Sequence, residues 1–156
     1  MHEHGRLIER FYEAFARRDA DAMVDCYHAK IEFSDPVFGR LDGDRAKDMW
    51  RMLCTRAKDL DIQFSDITAD AERGTAHWEA RYTFTATGRF VHNVIDARFE
   101  FADGKIKQHH DTFDLWRWSG MALGPMGRVL GWLPPLQRSI QKKALAGLDA
   151  WQRRSS

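Results

Sequence analysis

Three ionisable side chains in this sequence have neighbours and spacing suited to moving a proton: Asp35, His109 and Asp111. Asp35 belongs to the stretch FSDPVFG at positions 33–39, where it lies between aromatic residues and directly before a proline. A carboxyl group in apolar surroundings loses solvation, and its pKa then rises toward the range useful to a general base. The alternative is a local role, because Asp before Pro commonly accepts hydrogen bonds from its own turn.

His109 and Asp111 lie two positions apart in the polar stretch QHHD at positions 108–111. Residues two apart in a β-strand share a face, so the two side chains would point the same way. Facing a pocket, an imidazole and a carboxylate could serve as an acid and its partner. Facing outward, the same pair would form a polar contact between two copies of the chain. The sequence leaves both interpretations open.

Hydrophobic periodicity predicts the elements that hold Asp35. Apolar residues at helical spacing predict an amphipathic helix from Leu7 to about position 18, followed by a short helix over 22–27. Alternation predicts a strand over 31–35, whose parity puts Asp35 on the same face as Phe33. A third helix, starting after the DGD stretch at 42–44, presents a broad apolar face that includes Trp50.

The second half of the sequence alternates with period two and predicts an antiparallel sheet. Its strands cover about 61–67, 75–84, 90–102 and 105–116, and an Asp-Gly hairpin turn at 103–104 precedes the last. The second of these strands has Trp78 and Tyr82 on its apolar face. The third has Asn93 as the polar exception on its apolar face, and the fourth carries the His109–Asp111 pair.

The sequence beyond position 119 is punctuated by glycines, and Pro134 then begins a last amphipathic helix. This helix could cover a cavity, contact another copy of the chain or touch a membrane surface. We favour covering the sheet or a dimer contact, because a Lys- and Arg-bearing helix with few large apolar residues is a common packing helix.

The composition excludes several function classes. With 24 basic and 23 acidic residues, the net charge of +1 favours neither nucleic acid nor an anionic membrane as a partner. Cys26 and Cys54 lack metal-ligand spacing and indicate buried thiols of a reduced protein. No apolar signal segment or spanning run is present. We therefore expect one cytoplasmic domain without a metal, a nucleic-acid partner or an integral membrane segment.

The order of these elements, together with FSDPVFG at 33–39, FADGKI at 101–106 and HHD at 109–111, resembles the nuclear-transport-factor-2-like superfamily over about residues 6–118. That superfamily includes ketosteroid isomerases, SnoaL-like polyketide cyclases, limonene-epoxide hydrolases and scytalone dehydratases, besides members that only bind or scaffold. The resemblance implies an α+β cone, in which a curved, mainly antiparallel (cystatin-like) sheet packs on N-terminal helices. It also implies a SnoaL-like domain over 1–118, a C-terminal helical extension over 119–156, and a homodimer.

Within this resemblance, Asp35 matches the general base of ketosteroid isomerases, and Asp111 matches the catalytic aspartate of SnoaL-like cyclases. The positions of the isomerases' two oxyanion donors fall at Phe11 and Ala97, neither of which can donate a side-chain hydrogen bond. We expect a cofactor-independent isomerase, cyclase, hydrolase or dehydratase that acts by acid/base chemistry on a small hydrophobic compound, with His109 as an acid or partner. The alternative is a non-catalytic module for ligand binding or assembly. The residues expected to line a mainly apolar pocket are Phe33, Phe38, Trp50, Trp78, Tyr82, Asn93 and Phe113.

Overall fold

One curved, unclosed sheet carries all six strands found among residues 2–155, the part of the chain that the computed structural model describes. The strands are β1 (Tyr27–Asp35), β2 (Gly39–Asp42), β3 (Asp61–Ala69), β4 (Arg73–Phe84), β5 (Arg89–Ala102) and β6 (Lys105–Thr112). They lie in the order β2-β1-β6-β5-β4-β3. Neighbouring strands are antiparallel except β1 and β6, which are parallel.

The helices among these residues are α1 (Glu3–Ala16), α2 (Ala20–Asp25), α3 (Asp44–Arg56), α4 (Leu115–Leu123), α5 (Pro125–Leu130) and α6 (Pro134–Ser155). Side-chain caps fix the start of three of them. His2 Nδ1 accepts the backbone N–H of His4 at the start of α1. Asp19 accepts the backbone N–H of Ala22 at the start of α2, and Asp114 accepts that of Arg117 at the start of α4. Each cap satisfies a backbone donor that has no partner inside the helix.

Aromatic rings from α1, α3 and β4 fill the face of the sheet that the N-terminal helices cover. The ring of Phe15 lies 5.0 Å from that of Trp50 and 5.5 Å from that of Trp78, and Phe11 lies 5.6 Å from Trp50. The edge-to-face geometry of these three pairs is the one that aromatic side chains favour in protein cores. The predicted α+β cone is confirmed.

Several element boundaries, one strand and the two helices α4 and α5 differ from the sequence predictions. β6 ends at Thr112, so the predicted strand as far as position 116 is wrong. The reason is the cap formed by Asp114, which starts α4 at Leu115. The short helix α2 covers Ala20–Asp25 rather than positions 22–27, and β1 begins at Tyr27 rather than at position 31. The sequence analysis contains no strand at β2, which begins at Gly39.

The residues after β6 form a helical layer that reaches back to the turn after Asp35. α6 crosses α3, where Arg45 Nη1 lies 2.6 Å from Asp149 Oδ1. On the same helix, the side-chain amide of Gln141 donates to the carbonyl oxygen of Pro36 at 3.0 Å. None of the helices within residues 2–155 is long and apolar enough to cross a membrane.

Candidate active site

The parallel pairing of β1 with β6 brings the predicted acid/base residues together. Phe33 is opposite His109 and Ser34 is opposite His110, so the same register places Asp35 beside Asp111. The side chains of His109 and Asp111 are 0% and 3% exposed. Both face the covered side of the sheet, which removes the alternative of a polar contact on the outer face.

A continuous chain of hydrogen bonds runs through this buried region. The indole N–H of Trp50 donates to Tyr27 Oη at 2.8 Å, and Tyr27 Oη lies 2.7 Å from His109 Nδ1. His109 Nε2 lies 2.9 Å from Asp111 Oδ1, which also accepts the indole N–H of Trp78 at 3.3 Å.

One protonation state satisfies every donor in this chain. The Trp50 indole can only donate, so the Tyr27 hydroxyl accepts from it and directs its own proton to His109. His109 is then neutral, with its proton on Nε2, and donates it to the Asp111 carboxylate. Burial, followed by the Asp111 charge, holds the pKa of Tyr27 well above its ordinary value, which keeps that hydroxyl protonated.

Asp35 is half-buried at the end of β1 and is bound on one side by its own turn. Its Oδ1 accepts the backbone N–H groups of Val37 at 2.9 Å and Phe38 at 2.6 Å, as the local interpretation predicted. Oδ2 has no hydrogen-bond partner among residues 2–155, nor is it one of the fully buried unpaired atoms there. This second oxygen can therefore be approached by another molecule.

The pKa of the Asp35 carboxyl group lies well above the ordinary value of an aspartate. Burial raises its pKa to about 7; the N–H of Phe38 opposes that rise, and the charge of Asp111 adds to it. Near neutral pH the group is thus divided between the acid and the base form. This is the condition in which a carboxyl group can both take up and release a proton.

Tyr82 and Asn93 supply polar groups near the same end of the sheet. Tyr82 Oη accepts the indole N–H of Trp118 at 2.9 Å, which leaves its own proton available for donation. Burial first, and then the charge of Asp35, raise the pKa of Tyr82, so the two groups interact electrostatically. Asn93 is opposite Ala80, two residues from Tyr82 along β4, and its amide makes no hydrogen bond within the described chain.

The remaining predicted pocket residues are packed around these groups. The ring of His109 lies 5.2 Å from that of Phe33 and 6.0 Å from that of Trp50. Phe38 is buried on the turn after Asp35, and Phe113 is half-buried between the main core and the cluster formed by α4 and α6.

Sequence reasoning missed Tyr27 and Trp118. Tyr27 shares strand parity with Phe33 and Asp35, and this signal could have identified it, but the residue was assigned to the end of a helix. Trp118 lies between the end of the predicted last strand at position 116 and the glycine-punctuated segment, where the sequence analysis contains no separate helix. Phe11, at the position where isomerases have a donor, stacks on Tyr27 with ring centroids 5.2 Å apart.

Of the predicted site residues, Phe33 and His109 line one of two surface grooves. One, of about 520 Å³, lies on the outer sheet face among Ser34, Arg98 and His110. The other, of about 430 Å³, lies beside α4. Asp35, Asp111 and Asn93 line neither groove, so the mainly apolar pocket around them stays a prediction. Three of the aromatic side chains expected to line it, Phe33, Trp50 and Trp78, pack against one another.

The curved sheet, the helices on its inner face and the buried acid/base residues define a protein of the nuclear-transport-factor-2-like superfamily. The family model described as a SnoaL-like domain matches residues 8–109, and the chain belongs to this family. The resemblance read from the sequence is confirmed.

Solved structures show the same fold. An LEH-like epoxide hydrolase from M. tuberculosis is 22% identical with a TM-score of 0.66, over 85% of this chain and 96% of that chain. A candidate polyketide cyclase from Xanthomonas campestris pv. campestris is 24% identical with a TM-score of 0.64, over 76% and 96%. TerC, co-crystallised with polyporic acid, is 18% identical with a TM-score of 0.59, over 70% and 89%. A comparison with functionally curated proteins finds no significant match. At these identities the likeness establishes the fold alone.

Proposed function

We propose that this protein is a cofactor-independent acid/base enzyme of the SnoaL-like type that acts on a small hydrophobic compound. The observation that carries the proposal is Asp35, whose pKa is raised to about 7 and whose Oδ2 has no partner among residues 2–155. A general base works best when its pKa is close to the working pH. In this proposal, Oδ2 takes a proton from the substrate while Oδ1 stays bound to the turn.

Tyr82 and Asn93 would stabilise the oxygen on which negative charge develops. The Tyr82 hydroxyl already accepts from Trp118, so its proton can be donated to the substrate. Asn93 is 7% exposed, and its side-chain amide has no hydrogen bond inside the described chain and is not among the fully buried unpaired groups there. Positioned donors of this kind stabilise an oxyanion strongly when water is excluded. Tyr82 and Asn93 would take the role of the two oxyanion donors of ketosteroid isomerases, whose positions are occupied here by Phe11 and Ala97.

His109 and Asp111 would act on Asp35 rather than on the substrate. The Asp111 carboxylate is held by two donors, His109 and Trp78, and its charge helps to raise the pKa of Asp35. In this proposal the pair keeps Asp35 poised as a base. Asp111 would take over proton transfer only for a substrate bound deeper in the cone.

A substrate would enter by displacing part of the helical layer that covers Asp35. Gln141 bonds the carbonyl of Pro36, and Trp118 bonds Tyr82, so α4 and α6 both contact the proposed site. Half-buried apolar side chains surround this junction, among them Val37 and Phe113, which favours a hydrophobic substrate. The epoxide hydrolase, the candidate cyclase and the polyporic acid complex among the structural neighbours support a small organic compound.

The test is turnover of a panel of small hydrophobic epoxides, enones and cyclic ketones by the wild-type protein and an Asp35→Asn variant. Loss of the base should lower kcat by about 10²–10⁴-fold, while binding of the same compound is retained. Asp21→Asn, at an exposed position on α2, is the matched control and should leave kcat unchanged. Turnover that survives Asp35→Asn would refute the assigned base.

The second candidate function is a non-catalytic module that binds a small ligand. The observation that favours it is the hydrogen-bond chain through Tyr27 and His109, in which every donor is satisfied without a substrate. Saturable binding of a panel compound with no turnover by the wild-type protein would support this function.

We also propose that the protein forms a homodimer and resides in the cytoplasm, as its sequence predicts. The outer sheet face offers polar groups for such a contact, including His77, which lies 2.9 Å from Asp96. Sedimentation equilibrium of the purified protein tests the dimer. A monomer mass across the accessible concentration range would contradict it.

A further inference from the structure

Exposed apolar side chains are concentrated in one part of the molecule. Six large hydrophobic side chains are exposed among residues 2–155, and five of them fall within positions 116–132. The sixth, Phe90, is 62% exposed at the start of β5 and lines the same groove as Trp116. We call these six residues the α4–α5 surface: Phe90, Trp116, Met126, Val129, Leu130 and Trp132. Contiguous exposed apolar side chains on a soluble domain usually mark a surface that binds a partner.

Positive charge borders one side of this surface. Residues 115–156 contain seven basic residues and one acidic residue, a net charge of +6, whereas residues 1–114 carry a net charge of −5. Arg89, Arg117 and Arg128 line the groove beside α4. Within residues 2–155, neither Arg117 nor Arg128 pairs with a carboxylate. Asp114, the acidic residue in this groove, is engaged in capping α4. The overall charge of +1 conceals this asymmetry.

The two exposed tryptophans can be buried without leaving a polar group unpaired. The indole N–H of Trp116 donates to the carbonyl oxygen of Arg128 at 2.9 Å, and that of Trp132 donates to the carbonyl oxygen of Val129 at 3.1 Å. Burial of a polar group is costly mainly when its hydrogen bond is lost. Because both donors are already satisfied, the rings can enter an apolar layer as they stand.

We infer that the α4–α5 surface docks on a bilayer containing anionic phospholipid. Exposed tryptophan, methionine and aliphatic side chains bordered by arginine are the composition of interfacial membrane-binding segments. Arginine adds attraction to anionic headgroups close to the bilayer. The charge also argues against a second copy as the occupant, because a two-fold contact would bring together two copies of the same arginine-bordered surface.

The experiment is co-sedimentation of the full chain with vesicles of phosphatidylcholine mixed with phosphatidylglycerol, compared with vesicles of phosphatidylcholine alone. We expect binding to the mixed vesicles, at least tenfold weaker binding to the neutral ones, and weaker binding as salt is raised. Tryptophan emission should shift to shorter wavelength on binding. Absence of binding to the mixed vesicles at low salt overturns the inference.

Two variants and a control assign the binding to this surface. Val129 is 66% exposed, so Val129→Glu should keep the fold and weaken binding at least tenfold, as should Arg128→Glu. The matched control is Arg6→Glu, an exposed position on α1. This part of α1 lies near the end of β5 opposite Phe90, because His4 stacks on Phe101. Arg6→Glu should reduce binding much less, and a melting curve confirms that each variant is folded. Equal loss in all three variants overturns the assignment, as does a dimer that Val129→Glu dissociates while vesicle binding persists.

Discussion

His109 Nε2 and Asp111 Oδ1 lie 2.9 Å apart, with both side chains almost fully removed from solvent. A charged carboxylate is stable in such a place only when donors surround it, and here Trp78 supplies a second. The pair is linked through Tyr27 to Trp50, so one polar chain connects β4, β6, β1 and α3. Removing a polar atom from this chain should therefore lower the free energy of unfolding more than removing a buried polar atom that has no partner.

Two buried tyrosines test this expectation. Tyr27→Phe removes a hydroxyl that bonds both Trp50 and His109, and leaves a buried donor and a buried acceptor unpaired. It should lower the free energy of unfolding by about 1–3 kcal/mol. Tyr12→Phe removes a buried hydroxyl that has no hydrogen-bond partner in the described chain, so it should be neutral or slightly stabilising. Urea denaturation of both variants measures the difference, and equal losses would show that the chain contributes nothing specific.

The raised pKa of Asp35 predicts a particular dependence of stability on pH. Its folded-state value of about 7 exceeds the ordinary value of about 4, so the folded protein binds more protons than the unfolded chain between these values. The contribution of Asp35 to stability is therefore present below about pH 4 and is lost as the pH rises through about 7.

An Asp35→Asn variant lacks this titration, and its amide oxygen can still accept from Val37 and Phe38. Relative to the wild type, it should gain about 1–3 kcal/mol of unfolding free energy between pH 4 and pH 8, less than the full shift implies because the half-buried group keeps some solvent. Asp21→Asn is the control. A constant difference across this range would contradict the raised pKa.

The packing of α4 against α5 depends on a glycine. A Cβ atom at Gly127 would overlap the backbone carbonyl of Ser119, so Gly127→Ala must separate the two helices. We expect a loss of about 1–3 kcal/mol. A Cβ at Gly120 would meet its nearest atom, of Arg128, at 3.6 Å, an ordinary contact, so Gly120→Ala should be neutral or stabilising by up to about 1 kcal/mol. Thermal unfolding compares them, and a harmless Gly127→Ala would contradict the observed packing.

Local alternation predicted most of the strands and the residues that share a face, and the family resemblance implied the cone, but whether His109 and Asp111 face inward was left open by the sequence. Period two placed Asp35 with Phe33 and His109 with Asp111, and the structure shows each pair on one side of the sheet. The contact between β1 and β6 is parallel and joins residues more than seventy positions apart, so no local pattern reveals it. Tyr27 was missed for a different reason, because its position falls in the predicted short helix over 22–27, whereas β1 begins there. The helical layer over Asp35 also depends on distant contacts, such as that of Gln141 with Pro36.

The central claim is that Asp35 is a carboxyl group poised to exchange a proton near neutral pH. Titration of the side-chain carboxyl by ¹³C NMR, with Asp35→Asn to assign the resonance, measures this directly. The structure predicts a midpoint of about 7 for Asp35, shifted downward in Asp111→Asn because the neighbouring charge is removed. A midpoint of about 4 that does not respond to Asp111→Asn would contradict the account.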